Sequence, residues 1–170
     1  MTLTIRPVRV EDMAAIAAIY RHAVLHDTAS FELEAPDAAE MERRWRSISD
    51  AYPYLVAERA GAVVGYAYAG PHRTRPAYRA TCEDSIYIAR EAQRTGVGRA
   101  LLEALIAACE ARGYRQMIAG VSGGPASIAL HEALGFRVAG RLEAVGFKFG
   151  RWIDLVLLQR ALGDGATRPL

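Results

Sequence analysis

The hydrophobic positions of this chain switch between two periods, and the switches mark its elements. Leu3 and Ile5 alternate with polar neighbours over Leu3 to Arg6, the two-residue repeat of a strand. From Val10-Glu11-Asp12 the spacing lengthens. Met13, Ile16, Ala17, Ile19, Tyr20 and Val24 make one helical stripe to about Leu25, with Asp12 as cap or first-turn acid. A second helix opens at Pro36-Asp37 and carries Met41, Trp45 and Ile48 at helical spacing. Tyr54 to Glu58 and Val63 to Gly70 return to strand patterning around the hairpin turn Arg59-Ala60-Gly61-Ala62. In the next strand, Thr81 to Ile88, alternation puts Glu83, Ser85 and Tyr87 on one face and Cys82 on the other.

Val97, Leu101, Leu105 and Ala108 then predict a helix from near Gly96 to about Arg112, stopped by Gly113. Gln116 to Gly120 is a strand. Pro125 starts a helix over Ala126 to Leu134, and Gly135 ends it. Phe136 to Leu142 and Arg151 to Gln159 read as a closing pair of strands. The run Ile153, Leu155, Val156, Leu157, Leu158 is that of a strand covered on both faces. This order predicts an α/β fold with helices on both faces of a central sheet.

Composition narrows the function. The 170 residues suit one domain, placed at 1–162, with a polar tail over 163–170 expected to fray. A net charge of only +2 implies no general affinity for nucleic acid or membrane surfaces. No apolar run reaches the length of a membrane span, and charge stands near the start where a signal peptide would be apolar. Cys82 and Cys109 lack metal or redox spacing and read as buried thiols of a cytoplasmic protein, and no metal site is expected.

Three stretches carry candidate chemistry. Between the strand ending at Ile88 and the helix starting near Gly96 lies Gln93-Arg94-Thr95-Gly96-Val97-Gly98. Two glycines allow a tight turn and close approach to a ligand, and the helix start aims unpaired N–H groups and a positive dipole end into the loop. That is a pyrophosphate cradle, or else a glycine-rich turn alone. It is neither the dinucleotide glycine pattern nor a nucleoside-triphosphate loop. Pro71 to Arg79 holds Arg73, Arg75, Arg79 and Tyr78: a receptor for a carboxylate or phosphoryl group, or a solvated basic loop. His26 to Glu32 is irregular around Phe31, which either touches a ligand or plugs the core. Glu83, on the middle of a strand, needs a task or a partner; Arg75 and Arg79 are the candidate partners.

Strand, Gln-x-x-Gly-x-Gly, helix resembles the coenzyme A cradle of the GCN5-related N-acetyltransferases, and Leu130-His131-Glu132-Ala133-Leu134-Gly135-Phe136 resembles that family's second signature. The element order matches over nearly the whole chain. A closer likeness is to the phosphinothricin and methionine sulfoximine/sulfone acetyltransferase branch. It is carried by Thr28 to Glu32, Tyr68-Ala69-Gly70-Pro71, Arg75 to Arg79, Glu83 to Tyr87, Gln93 to Gly98, Ala126 to Phe136 and Val145 to Trp152. Two positions depart from it. The branch has His where Asp84 stands, and Asn at the start of the later helix, where this chain has Gly124-Pro125.

The resemblance implies a mixed, mostly antiparallel sheet and transfer of acetyl from acetyl-CoA, as co-substrate, to the amine of a small amino acid in a ternary complex. It implies cofactor contacts at Ile86, Tyr87, Ile88, Arg94, Thr95, Gly96, Val97, Gly98, Arg99 and Gly124. Substrate contacts fall at Phe31, Arg73, Thr74, Arg75, Tyr78, Glu83, Asp84 and Ser85. An ammonium must lose a proton before it attacks a thioester, so a base is required; Glu83 is the candidate, with burial expected to raise its pKa. His131 is the candidate acid for the leaving thiolate. Val145 to Gly150 resembles a site-closing loop that contributes to a homodimer. Another amine, such as a peptide N-terminus, or a non-catalytic acyl-CoA sensor role are the rival readings.

Overall fold

The computed structural model describes residues 2–170. Seven strands form one sheet in the order β1-β2-β3-β4-β5-β7-β6. They are β1 (Leu3–Pro7), β2 (Tyr54–Arg59), β3 (Ala62–Pro71), β4 (Thr81–Ile88), β5 (Gln116–Val121), β6 (Arg137–Lys148) and β7 (Arg151–Ala161). Every neighbouring pair is antiparallel except β4–β5. The helices are α1 (Met13–His26), α2 (Ala38–Ile48), α3 (Val97–Ala111) and α4 (Pro125–Ala133).

The stripes expected from spacing are the faces that pack. Met13, Ile16, Tyr20 and Val24 of α1 join Met41 of α2 against Val56 and Tyr66 on one face of the sheet. Val97, Leu101, Leu105 and Cys109 of α3 cover the other face, over Ala57, Ala67, Cys82 and Met117, with Leu134 and Phe136 beyond α4. Both thiols are fully buried there. Burial and the neighbouring Cys109 thiol push the Cys82 thiol up, so it is an inert core group.

Several boundaries differ from the periodicity, each for a local reason. Val10–Asp12 is a 3₁₀ turn rather than the first helical turn. Asp12 makes no side-chain cap to α1; its carboxylate takes the Arg9 N–H at 2.7 Å and both arms of the Arg6 guanidinium at 2.8 Å. The expected site-closing loop Val145 to Gly150 is mostly strand: β6 runs to Lys148, and only Phe149 and Gly150, both at positive φ, make the turn. The tail from Gly163 carries turns, and Asp164 lies 3.4 Å from Arg115.

Candidate active site

The site begins where the sheet parts. β4 and β5 pair in parallel from Thr81/Gln116 to Asp84/Ala119, and there pairing stops. β4 continues to Ile88, still held by β3 through Gly65. The edge of Ser85 to Ile88 that faces β5 therefore lacks a neighbouring strand. Unpaired backbone groups beside a cleft are a template for an extended, amide-bearing ligand.

Beyond Ile88 the chain folds into the loop anticipated from its glycines. A 3₁₀ turn over Arg90–Ala92 leads to Arg94 at φ 57 and Gly96 at φ 87, both left-handed, and α3 starts at Val97. The Thr95 hydroxyl donates to the Ala92 carbonyl at 2.7 Å and fixes the turn. Gly96 has open space where a Cβ would be, so backbone angle alone demands glycine there. The first N–H groups of α3 have no partner within the helix and open on a cleft of about 380 Å³. Ile86, Tyr87, Ile88, Arg94, Gly96, Gly98 and Arg99, all expected cofactor contacts, line this cleft. Three other expected contacts, Thr95, Val97 and Gly124, do not. Val97 is fully buried because it begins the apolar stripe of α3, which leaves only its N–H for a ligand. Thr95 is spent on the turn. Gly124, at φ 99, is also absent from the lining, and its neighbour Gly123 takes that place with Ala126 and Ser127 of α4.

Two further voids adjoin the cleft. A cavity of about 60 Å³ lies in the parting of β4 and β5, between Asp84, Ser85, Ala119, Ser122 and His131. It shares Ala29, Ile86, Tyr87, Gly123 and Ser127 with the cleft. On the opposite face a shallow recess of about 290 Å³ is lined by Arg44, Ile48, Tyr68, Glu83 and Ser85. Ser85 borders both the cavity and the recess.

Glu83 stands in the recess, as strand alternation required. Its side chain is 44% exposed, so it is not the buried carboxylate that the sequence predicts. Its partner is neither Arg75 nor Arg79. Oε2 lies 3.1 Å from Nδ1 of His72, whose ring Tyr78 meets edge-on at 5.6 Å. Arg73, Thr74, Arg75 and Tyr78 are exposed on the loop between β3 and β4, and none of them lines the three voids. Phe31 is surface-lying, its ring so close over Gly146 that a Cβ there would approach it to 2.6 Å.

Asp84 departs most from expectation. Its carboxylate is on the face opposite Glu83 and points away from the recess. Oδ2 lies 3.0 Å from Nε2 of His131, and both side chains are only 2% exposed. Nδ1 of His131 sits 2.7 Å from the Ser127 carbonyl. Burial pulls the His131 pKa down, but the Asp84 hydrogen bond and charge, with Ser127, outweigh it and leave it raised. His72, Arg44, Tyr68 and Gly123 are the site residues that sequence reasoning missed. His72 stood in the arginine loop and could have been weighed as a base partner; the others carry no local signal.

The loop between α1 and α2 rims the cleft through Asp27 and Ala29, and it is fastened at two points. The Thr28 hydroxyl donates to the Ser122 carbonyl at 2.7 Å, and the Ser122 hydroxyl returns a bond to the Thr28 carbonyl at 2.6 Å. The buried Lys148 ammonium of β6 donates to the carbonyls of Asp27 and Ser30 at 2.8 and 2.6 Å.

Comparison with known proteins agrees with this geometry. Residues 5–157 match the Acetyltransferase (GNAT) domain family. The chain is 57% identical over 167 residues to a phosphinothricin N-acetyltransferase of Alcaligenes faecalis, covering 96% of this chain and 85% of that one. It is 39% identical to an L-methionine sulfoximine/L-methionine sulfone acetyltransferase of Pseudomonas aeruginosa, over 99% of this chain and 100% of that one. The crystal structure of a GNAT superfamily phosphinothricin acetyltransferase from Sinorhizobium meliloti, in complex with AcCoA, superposes with a TM-score of 0.96 at 48% identity, covering 99% of this chain and 93% of that chain.

Proposed function

The chain belongs to the GNAT acetyltransferase family and is an acetyl-CoA-dependent N-acetyltransferase, and from that premise we propose that it acetylates the α-amino group of a small amino acid of the phosphinothricin or methionine sulfoximine/sulfone kind. The observation that carries this reading is the succession of voids through the parted strands. The cleft at the cradle, the cavity at Asp84 and the recess at Glu83 adjoin one another through Tyr87 and Ser85. A thioester fed from one face can thus meet an amine presented on the other.

In this reading the free N–H groups at the start of α3 take the pyrophosphate of acetyl-CoA, with Arg94 and Arg99 beside them. The unpaired edge of Ile86 to Ile88 holds the pantetheine amides. Glu83 removes the ammonium proton, directly or through water, and the adjacent His72 can carry that proton outward. The amine attacks the thioester carbonyl, and a backbone N–H near Ile88 steadies the oxyanion. His131 returns a proton to sulfur. Arg75 and Tyr78, on the loop that also carries His72, take the acidic head of the substrate, with Arg73, Thr74 and Phe31 as further contacts.

The wider context is also proposed. Val145, Phe147, Phe149 and Trp152 expose a contiguous apolar stretch of β6 and β7, suited to a homodimer. No helix among the described residues is long and apolar enough to cross a membrane. Two buried free thiols fit a reducing cytoplasm. Detoxification of amino-acid analogues, including the herbicide phosphinothricin, is the role such an activity would serve.

The test is release of free thiol from acetyl-CoA with phosphinothricin, methionine sulfoximine, methionine sulfone, glutamate, a polyamine and an alanine-terminated peptide. Turnover confined to the first three supports the proposal. Turnover only on the peptide would replace the substrate, and cofactor binding without turnover on any of them would favour a sensor.

A further inference from the structure

Asp84 and His131 are a charged pair nearly sealed from solvent and in hydrogen-bond contact across elements, β4 to α4. Hydrogen-bond logic fixes their protons. The Ser127 carbonyl can only accept, so Nδ1 of His131 carries a proton. Nε2 then faces Asp84 Oδ2 at 3.0 Å. With no proton between them, two lone pairs would oppose each other in a buried site. A second proton therefore lies between them in the resting pair, and the raised His131 pKa favours its place on the ring. Asp84 Oδ1 is buried with no partner, so this carboxylate has no donor but His131. An unpaired buried charge would be costly, and the imidazolium is what offsets it.

The surroundings of the ring leave Asp84 to set its charge. Phe136 meets it edge-on at 5.0 Å. α4 offers the Ser127 carbonyl, β5 offers uncharged Ala119 and Val121 across the shared cavity, and Glu83 stands on the other face of β4.

We infer that Asp84 is a positioning residue for the transfer reaction: it holds His131 as an imidazolium, aligned beside the cavity between the parted strands, so that a proton is ready for the sulfur of departing coenzyme A. The inference rests on the proposed role of His131 as general acid. When the tetrahedral intermediate collapses, the C–S bond breaks and its electron pair goes to sulfur. The Nε2–H bond breaks, that proton joins the sulfur, and the neutral ring keeps its Nδ1 proton on the Ser127 carbonyl; the pair takes a proton back from water entering the cavity as the thiol leaves, which closes the Nε2–Oδ2 hydrogen bond again. The opposing face of the sheet handles the other proton, at Glu83.

The test uses Asp84→Asn, which keeps the shape and an acceptor for Nε2–H but removes the charge. Two readings are made on each protein: the His131 C2–H titration by NMR, and kcat against pH at saturating acetyl-CoA and amine. The wild-type midpoint should lie above the ordinary histidine value of about 6.5. In Asp84→Asn it should fall, and the alkaline limb of kcat should move down with it. That costs on the order of tenfold in kcat at pH 8, with little change in the KM for acetyl-CoA. A wild-type midpoint below the ordinary value overturns the inference without needing any variant to fold. So does a midpoint that Asp84→Asn leaves unmoved. A midpoint that falls while the pH limb stays fixed instead removes His131 as the acid, and with it any catalytic task for Asp84.

Discussion

Lys148→Met is the sharpest test of how the cleft is held in shape. The ammonium is 4% exposed and sits on β6, far in sequence from the loop it fastens. Its two donated bonds, at 2.8 Å to Asp27 and 2.6 Å to Ser30, join that loop to the last hairpin. Burial lowers the Lys148 pKa against the pull of the Asp27 carboxylate, so the site already strains to hold the charge. Hydrogen bonds to a charged group contribute about 1.5–3 kcal/mol each, so the two together reach about 3–6 kcal/mol. Methionine matches the length of the stem and removes the desolvation cost of the ammonium, which returns part of that. The net loss is about 2–4 kcal/mol, the range left by two unpaired buried carbonyls after that recovery. For a chain of this size, each kcal/mol moves Tm by about 2–4 °C, which gives a fall of about 4–16 °C. Calorimetry reads the Tm, and an acetyl-CoA titration reads the KM. KM should rise, because Asp27 and Ala29 line the cleft. A Tm within about 2 °C of wild type would refute the view that this lysine fastens the rim.

Other consequences follow from the same geometry. Glu83→Gln should cut kcat by about 10²–10⁴ while the acetyl-CoA KM stays close to wild type; unchanged turnover removes Glu83 as the base. A Cβ at Gly98 would lie 3.3 Å from Leu130 on the cleft wall, so Gly98→Val should raise the acetyl-CoA KM on the order of tenfold, or about 1.4 kcal/mol, with kcat at saturation little changed. The Arg6 guanidinium, outweighing burial, holds the Asp12 carboxyl below its ordinary range. Stability from this group is therefore present above the unfolded value near 3.9 and lost as pH falls through the lower folded value. Urea unfolding should show Asp12→Asn weaker than wild type at pH 7 and the two converging in acid. Trp152→Asp, at an exposed position of the apolar hairpin, should leave a monomer by light scattering if that face joins two copies.

The order of elements was legible because each stripe had one period and clear stops at Gly113 and Gly135. The cradle was legible too, since a left-handed Gly96 before an apolar helix is a local requirement. What lay beyond local pattern was not. His72 reaches Glu83 because the antiparallel register sets Gly70 opposite Glu83 and Pro71 opposite Cys82, a fact of pairing rather than of composition. The resemblance makes Asp84 a substrate contact, although alternation sends it to the face opposite Glu83. Its partner His131 is 47 residues away on another element. Val145 to Gly150 looked like a loop because glycines and aromatics obscure a two-residue period, yet Lys148 needs strand geometry there to reach the rim.

The placing of Glu83 and Asp84 traces to one feature of β4. The strand must follow β3, to which it is paired along its whole length from Cys82 to Ile88. β5 must follow β7, to which it is paired from Gln116 to Val121. The two halves of the sheet share only the four parallel positions from Thr81 to Asp84. Where their directions part, the residues at the crotch are Glu83 and Asp84, one to each face. The parting lies just beyond these two residues, so Glu83 stands in the open recess and Asp84 is sealed against His131, with Ser85 bordering both voids. The site's geometry therefore depends on two pairings: that with β3 fixes which face each carboxylate takes, and the end of that with β5 fixes where the cavity opens beside them.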